Sequence, residues 1–171
     1  MINTELIQSF PPICDEFSST LILGSMPGVR SLQLAQYYAH PRNAFWRIML
    51  QRMNADSNCS YAKRIDLLKQ HKIALWDVLH SCERPGSLDN SILQTSVQAN
   101  DFQGFYEQFP QIRCVFFNGA YAETAYRKHV FTNLSPSFRE LPLFRLPSTS
   151  PAHASLSFLE KLEAWRVVMD N

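Results

Sequence analysis

The sequence lacks any C-x-x-C pair: Cys14, Cys59, Cys82 and Cys114 are scattered along the chain. The local ligand spacing of a zinc ribbon or an iron–sulfur cluster is therefore missing, and free thiols, buried or partly buried in a reducing compartment, are expected. No apolar run approaches the roughly 20 residues that a membrane-spanning helix needs. The opening MINTELIQSF has neither the basic nor the apolar region of a signal peptide, so the expected location is cytoplasmic. Repeats, low-complexity tracts and linkers are also missing. With 171 residues, 46% hydrophobic and 18% charged, the chain suits one folded domain spanning 1–171, with nothing to suggest an obligate oligomer.

Acidic residues are absent from two windows. Between Phe17 and Ala55 there is no Asp or Glu, while Arg30, Arg42, Arg47 and Arg52 are present; the second window, Leu141 to Leu159, holds Arg145 and His153. The net charge of +1 says nothing about nucleic acid, but a local electropositive face is compatible with a polyanionic partner. Solvated charges on helix faces would give the same pattern.

What is present is an alternation of short apolar runs with segments of helical spacing. TLILGSM (20–26), IALWDV (73–78), CVFFN (114–118) and PLFRLP (142–147) read as buried strands. In NAFWRIMLQRM the residues Phe45, Ile48, Met49 and Met53 share one helical face; YAKRIDLLKQH (61–71) and AYAETAYRKHV (120–130) repeat the pattern. SLSFLEKLEAWRVVMD (155–170) reads as a long closing amphipathic helix with serines offering N-caps. Such alternation implies an α/β fold with a parallel sheet covered on both faces, and ligands in such sheets collect beyond the carboxyl ends of the strands. The polar and glycine-rich residues sit at those ends: Gly24–Gly28, Asp77, Asn118-Gly119 and Ser148-Thr149-Ser150. One composite site is expected there.

GSMPG (24–28) is neither a P-loop nor a G-x-G-x-x-G fingerprint; it is a tight turn whose backbone N–H groups could face a ligand, or an ordinary strand-to-helix turn. YYAHPRNAFW (37–46) is more informative. Pro41 holds His40 extended, and Asn43 is placed either to cap the following helix or to hold a water or a base edge. Tyr38 suits stacking on a flat base or a wedged surface position, whereas Phe45 and Trp46 read as core. LPSTSPAH (146–153) brackets Ser148, Thr149 and Ser150 with prolines, a polar loop suited to phosphate oxygens or simply a connection. No nucleophile elbow is visible, no carboxylate pair occurs in these elements, and Asp77 is the one acid expected near the site.

Together LILGSMPG, YYAHPRNAFW, FNGAYAE and LPSTSPAH resemble the motifs of the uracil-DNA glycosylase superfamily, most closely its hypoxanthine (deoxyinosine) branch, with the mismatch-specific uracil/thymine glycosylases as near relatives. The resemblance implies a three-layer α/β/α sandwich around a central four-stranded parallel sheet. It implies a monofunctional glycosylase of base excision repair that flips a deaminated base from DNA and hydrolyses its N-glycosidic bond, with no metal or cofactor. The mismatch-specific relatives carry a water-orienting Asn where this chain has Met26, and the hypoxanthine branch uses the Asn that matches Asn43. The resemblance further implies base contacts from Ser25, Met26, Tyr38 and Asn118. It implies phosphate or wedge contacts from Pro27, Gly28, Arg42, Ser148, Thr149, Ser150, Ala152 and His153. Ala152 is small for a wedge, and His153 would share that role. Asp77 is left with three readings: contact with the N–H edge of a purine, a second water activator, or a cap. The partner expected is DNA containing deaminated bases, met by a monomer in the cytoplasm at the nucleoid. Two rivals stand beside a hypoxanthine enzyme: a uracil- or mismatch-specific glycosylase, and a non-catalytic reader of damaged DNA. A small nucleotide-binding protein would also use an anion turn, but would lack the steep salt dependence of DNA binding.

Overall fold

A computed structural model describes residues 5–170. In chain order it contains β1 (Leu6–Gln8), β2 (Thr20–Gly24), α1 (Val29–Leu34), α2 (Phe45–Arg52), α3 (Tyr61–Gln70), β3 (Ile73–Asp77) and β4 (Leu79–Glu83). There follow β5 (Gln98–Ala99), α4 (Phe102–Gln108), β6 (Cys114–Asn118), α5 (Ala120–His129), α6 (Pro136–Arg139), β7 (Leu143–Leu146) and α7 (Phe158–Ala164).

The four apolar runs pair as a parallel sheet in the order β3-β2-β6-β7. Alternation along each strand divides its side chains between two cores. Leu21, Leu23, Trp76, Val115 and Phe117 pack with α4 and α5 through Phe102, Phe105, Tyr106 and Tyr126. Ile22, Leu75 and Phe116 pack on the other face with Phe45, Ile48 and Met49 of α2, Leu68 of α3, and Leu162 and Trp165 at the chain's end. This is the three-layer α/β/α sandwich. β2 and β3 are buried throughout because both faces are covered. β7 differs from the buried strand expected over 142–147: it is an edge, with Phe144 46% exposed and stacked on Phe116 at 5.1 Å, and Arg145 paired with Glu123 at 3.5 Å.

The sequence pattern missed a small antiparallel sheet, β1-β4-β5, in which Ile7 faces Cys82. Its outer strands span three and two residues, too few to carry an alternation. The closing helix is also shorter than 155–170. α7 begins at Phe158 after the N-cap Ser157, which forms a capping box with Glu160, and the chain tightens into a 3₁₀ turn over Trp165–Met169. The Trp165 indole donates to the Pro147 carbonyl at 2.9 Å, so this turn is fastened to the polar loop after β7. All four cysteines are free thiols, with Cys82 and Cys114 buried. Among the described residues no helix is long and apolar enough to cross a membrane.

Trp165 is fully buried and meets Phe45 edge-on at 5.8 Å. Trp165→Ala removes both that packing and the indole bond, and is expected to cost about 3–5 kcal/mol of stability, read from urea unfolding.

Candidate active site

A cavity of about 430 Å³ opens beyond the carboxyl ends of β2, β3 and β6, where the parallel topology predicts a ligand site. It is lined by the turn after β2, the 37–43 segment, Asp77, Asn118 and the loop after β7. Every site residue singled out in the sequence lines it except His153. The His153 carbonyl instead accepts a hydrogen bond from Lys161 Nζ at 2.6 Å, which ties the loop to α7.

The 37–46 segment works as a bracket. Trp46 donates its indole N–H to the Tyr37 carbonyl at 2.7 Å, and Tyr37 in turn bonds the Pro11 carbonyl at 3.0 Å. Arg42 donates its backbone N–H to His40 Nδ1 at 3.1 Å, so a neutral His40 carries its proton on Nε2. Asn43 Oδ1 accepts the Phe45 backbone N–H at 2.9 Å. Asn43 thus lies one residue before the helix cap, which is Ala44, and closes a local side-chain turn onto Phe45; the bond fixes the orientation of the amide while leaving its –NH₂ and a second oxygen lone pair available at the cavity wall. Arg42 is exposed at the rim.

Tyr38 adopts a left-handed backbone conformation, with φ of 54°, uncommon for an aromatic residue. Its ring stacks on Phe45 at 4.1 Å and 24°, so a base could meet only the opposite face. Its hydroxyl is buried with no hydrogen-bond partner, although the Asn118 amide is a near neighbour. Asp77 is 4% exposed, and its Oδ2 is likewise unpartnered. Both groups crowd Gly24: a Cβ there would lie 2.5 Å from Asp77 Oδ1 and 2.8 Å from the Tyr38 hydroxyl, so the site requires glycine at the end of β2. Burial pushes the Asp77 carboxyl up to about 8, with the charge of Asp89 adding to the rise and Arg84 opposing it. Near neutral pH Asp77 is therefore mostly a neutral acid with a proton to donate. Burial raises the Tyr38 phenol as well, and it stays protonated. The capping role considered for Asp77 is not what its side chain does here.

Asn118 is committed more deeply than the sequence suggested. Its Oδ1 accepts the Thr149 N–H at 2.9 Å and its Nδ2 donates to Thr149 Oγ1 at 2.8 Å, leaving one amide hydrogen for a ligand. Thr149, 1% exposed, also accepts the Ala44 N–H on its carbonyl at 3.0 Å. It is thus a strut, not a phosphate ligand exposed to solvent. Ser148 and Ser150 accept local backbone N–H groups from Ser150 and Ala152 and keep their hydroxyl hydrogens free to donate. Ser25 is occupied too: its hydroxyl donates to the Asp89 carboxylate at 2.8 Å and its carbonyl accepts the Leu79 N–H at 3.1 Å, so what it can offer a ligand is its backbone N–H. Met26 (6% exposed), Pro27 and Gly28 complete the turn.

Arg84 and Asp89 join the site only in the folded chain. The Arg84 side chain is completely buried; it donates to the carbonyls of Gly86, Met26 and Pro27 and lies 3.8 Å from Asp89. This clamp holds the turn after β2 in place. An Arg-Pro-Gly turn followed by an acid was the signal available in RPGSLD (84–89), but only the fold brings it to GSMPG.

The cavity therefore offers donors at one end, an oriented amide, and cations at Arg30 and Arg42 toward the opening; no lysine lines it. Among the described residues no group of His, Cys, Asp and Glu could hold a metal ion.

Residues 11–168 match the profile of the Uracil DNA glycosylase superfamily. A hypoxanthine DNA glycosylase from Methanosarcina barkeri is 40% identical over 113 residues, covering 66% of this chain and 70% of that protein. Its namesake from Methanosarcina acetivorans is 38% identical over the same shares. The solution NMR structure of a candidate uracil DNA glycosylase from Methanosarcina acetivorans superimposes with a TM-score of 0.74 at 32% identity, covering 96% of this chain and 99% of that one. A cavity beyond the parallel strands, an amide held at the start of α2 and the match along nearly the whole chain agree: this chain belongs to the uracil-DNA glycosylase superfamily.

Proposed function

We propose that this DNA glycosylase acts on hypoxanthine in DNA, releasing the base and leaving an abasic site, with residues 1–171 working as one domain and as a monomer on chromosomal DNA in the cytoplasm. The observation that carries the reading is the pair of buried, unpartnered polar groups at the cavity, the Tyr38 hydroxyl and Asp77 Oδ2, which crowd Gly24 and line the cavity with Asn118; burial raises the Asp77 carboxyl to about 8. Deamination replaces the amino group of adenine, a donor, with a carbonyl, an acceptor. A pocket that presents donors therefore accepts hypoxanthine and rejects adenine, because an unmatched amino group would leave buried polar atoms unpaired on both sides.

The chemistry needs little from a strong nucleophile. As the N-glycosidic bond lengthens, the sugar approaches an oxocarbenium ion and the base departs with the bonding electron pair. Asp77, the free Asn118 amide hydrogen and the backbone around Ser25–Met26 stabilise that developing negative charge. Asn43, its oxygen already fixed by the Phe45 N–H, positions a water through its remaining lone pair and its –NH₂. Water adds its oxygen to C1′ and a proton ends on the released base. The absence of lysine from the lining supports hydrolysis without a Schiff base. Arg42, Arg30, Ser148, Ser150 and the Pro27–Gly28 turn would hold the flanking phosphates, which makes binding steeply salt-dependent.

Labelled duplexes carrying a single hypoxanthine, uracil, xanthine or mismatched thymine test the reading. Hypoxanthine is expected to be released fastest; uracil released fastest instead would reassign the substrate, and binding without release of any base would indicate a non-catalytic reader. Asn43→Ser keeps an oxygen that can accept the Phe45 N–H but lacks the amide, so base release is expected to fall by about 100-fold or more with folding and DNA binding retained. Unchanged release would remove Asn43 from the mechanism.

Asp77 makes a separate prediction. Its folded pKa of about 8 lies above its ordinary 3.8, so its contribution to stability is fully present below pH 3.8 and is lost as the pH rises through 8. Relative to wild type, Asp77→Asn is therefore expected to gain stability across that window and level off above it, measured by urea midpoints at several pH values. Base release by the wild type is expected to decline above pH 8 as the donor ionises, while the amide of the variant shows no such decline.

A further inference from the structure

A base turned out of a duplex leaves a gap, and the flipped state is held open when an apolar side chain enters that gap. Ala152 lines the cavity but offers a single methyl group, and His153 does not line it. The loop after β7 therefore has no good candidate. Of the exposed large apolar side chains among the described residues, Leu88 alone lines the cavity, and it is 57% exposed.

We propose that Leu88 is the wedge that enters the duplex as the nucleotide leaves it, an assignment that rests on the glycosylase reading above. An exposed leucine is unremarkable by itself; its setting is what argues for function. The residues on either side are anchored. Ser87 Oγ accepts the Val29 N–H at 2.9 Å, Asp89 takes the Ser25 hydroxyl at 2.8 Å, and the Leu88 carbonyl accepts the Ser91 N–H at 3.0 Å. Arg84 below them binds the same turn after β2, and Ile92 beyond them is 5% exposed. The loop is held through the Ser87 and Asp89 side chains and the Leu88 carbonyl while the Leu88 side chain is left in water. A wedge needs that combination: a rigid base, so that insertion costs little ordering entropy, and an apolar tip whose burial between bases offsets part of the lost stacking. The location is also suitable. Leu88 lies on the chain that leaves β3, at one edge of the parallel sheet, whereas Ala152 follows β7 at the other edge. The two loops border one cavity, so the large apolar residue missing from one is supplied by the other.

The test separates insertion from chemistry by comparing hypoxanthine release from a duplex and from the corresponding single strand, where no stack has to be opened. Leu88→Ala is expected to lower kcat/KM on the duplex on the order of 10-fold or more, the share of a leucine's transfer free energy lost from the gap, with the single strand changed by less than about 2-fold. Leu88→Met, which keeps an apolar wedge, is expected to restore most of the duplex rate. A second readout does not need turnover: 2-aminopurine placed beside the hypoxanthine brightens when the stack opens, and Leu88→Ala is expected to lose that brightening while still binding the duplex. Equal losses on duplex and single strand would mean a merely structural role and overturn the proposal, as would a duplex rate and a fluorescence change that match wild type. If wild-type protein releases no base from either form, the glycosylase reading fails first and the wedge with it, an outcome distinct from a silent Leu88→Ala in an active enzyme.

Discussion

The site depends on Thr149. This single residue joins the amide of Asn118 at the end of β6 to the start of α2, because its hydroxyl and N–H bind Asn118 and its carbonyl binds the Ala44 N–H. Asn43 is the residue before Ala44, so the oriented amide, the donor at the end of β6 and the polar loop after β7 are fixed relative to each other by the backbone and side-chain hydrogen bonds of one residue that is 1% exposed. Buried hydrogen bonds are electrostatically strong and costly to break, so the three parts move together or not at all. Trp165, bonded to Pro147, and Lys161, bonded to His153, hold the same loop from the far side.

A second set of bonds does the equivalent work on the opposite side of the cavity. Arg84, fully withdrawn from water, spends its donors on the carbonyls of Gly86, Met26 and Pro27 and faces Asp89, which receives the Ser25 hydroxyl. Taking an arginine out of water is costly unless its fork is satisfied, and here it is satisfied almost entirely by the backbone of the turn it must position. The turn after β2 is thereby held without a glycine-rich phosphate fingerprint. Rigid placement of this kind favours catalysis because the geometry is set before the substrate arrives.

Between these two braces lies a deliberately unfinished patch. The Tyr38 hydroxyl and Asp77 Oδ2 are buried without partners, in contrast to the general satisfaction of buried polar atoms. Burial, with the charge of Asp89 adding to it, disfavours a carboxylate at Asp77 and raises it to about 8, so near neutral pH the group is a donor. The left-handed backbone of Tyr38 and its stacking on Phe45 keep the pair in place. Unsatisfied groups of this sort destabilise the empty protein and are satisfied by a ligand with a matching edge, which links the cost in stability to specificity.

The sequence by itself determined the parallel α/β architecture, because fully buried strands must be continuous apolar runs, and it determined the end of the sheet that carries the site, because polar residues cluster at strand ends. Asn43, Tyr38 and the 146–153 loop were legible for the same reason: His-Pro, Asn before an aromatic helix start, and prolines around hydroxyls are local patterns. The tertiary structure decided the rest. The state of Asp77 depends first on its burial and then on the charges of Asp89 and Arg84, none of which a local pattern around position 77 announces. The engagement of Asn118 with Thr149 spans 31 positions and that of Ser25 with Asp89 spans 64, and no local pattern encodes such pairings. The edge character of β7 and the tightening of the chain at Trp165 were likewise set by what packs against them. Local propensity specifies elements over a few residues, whereas burial and the protonation of a buried group are properties of the whole surrounding, and only the assembled fold supplies that surrounding.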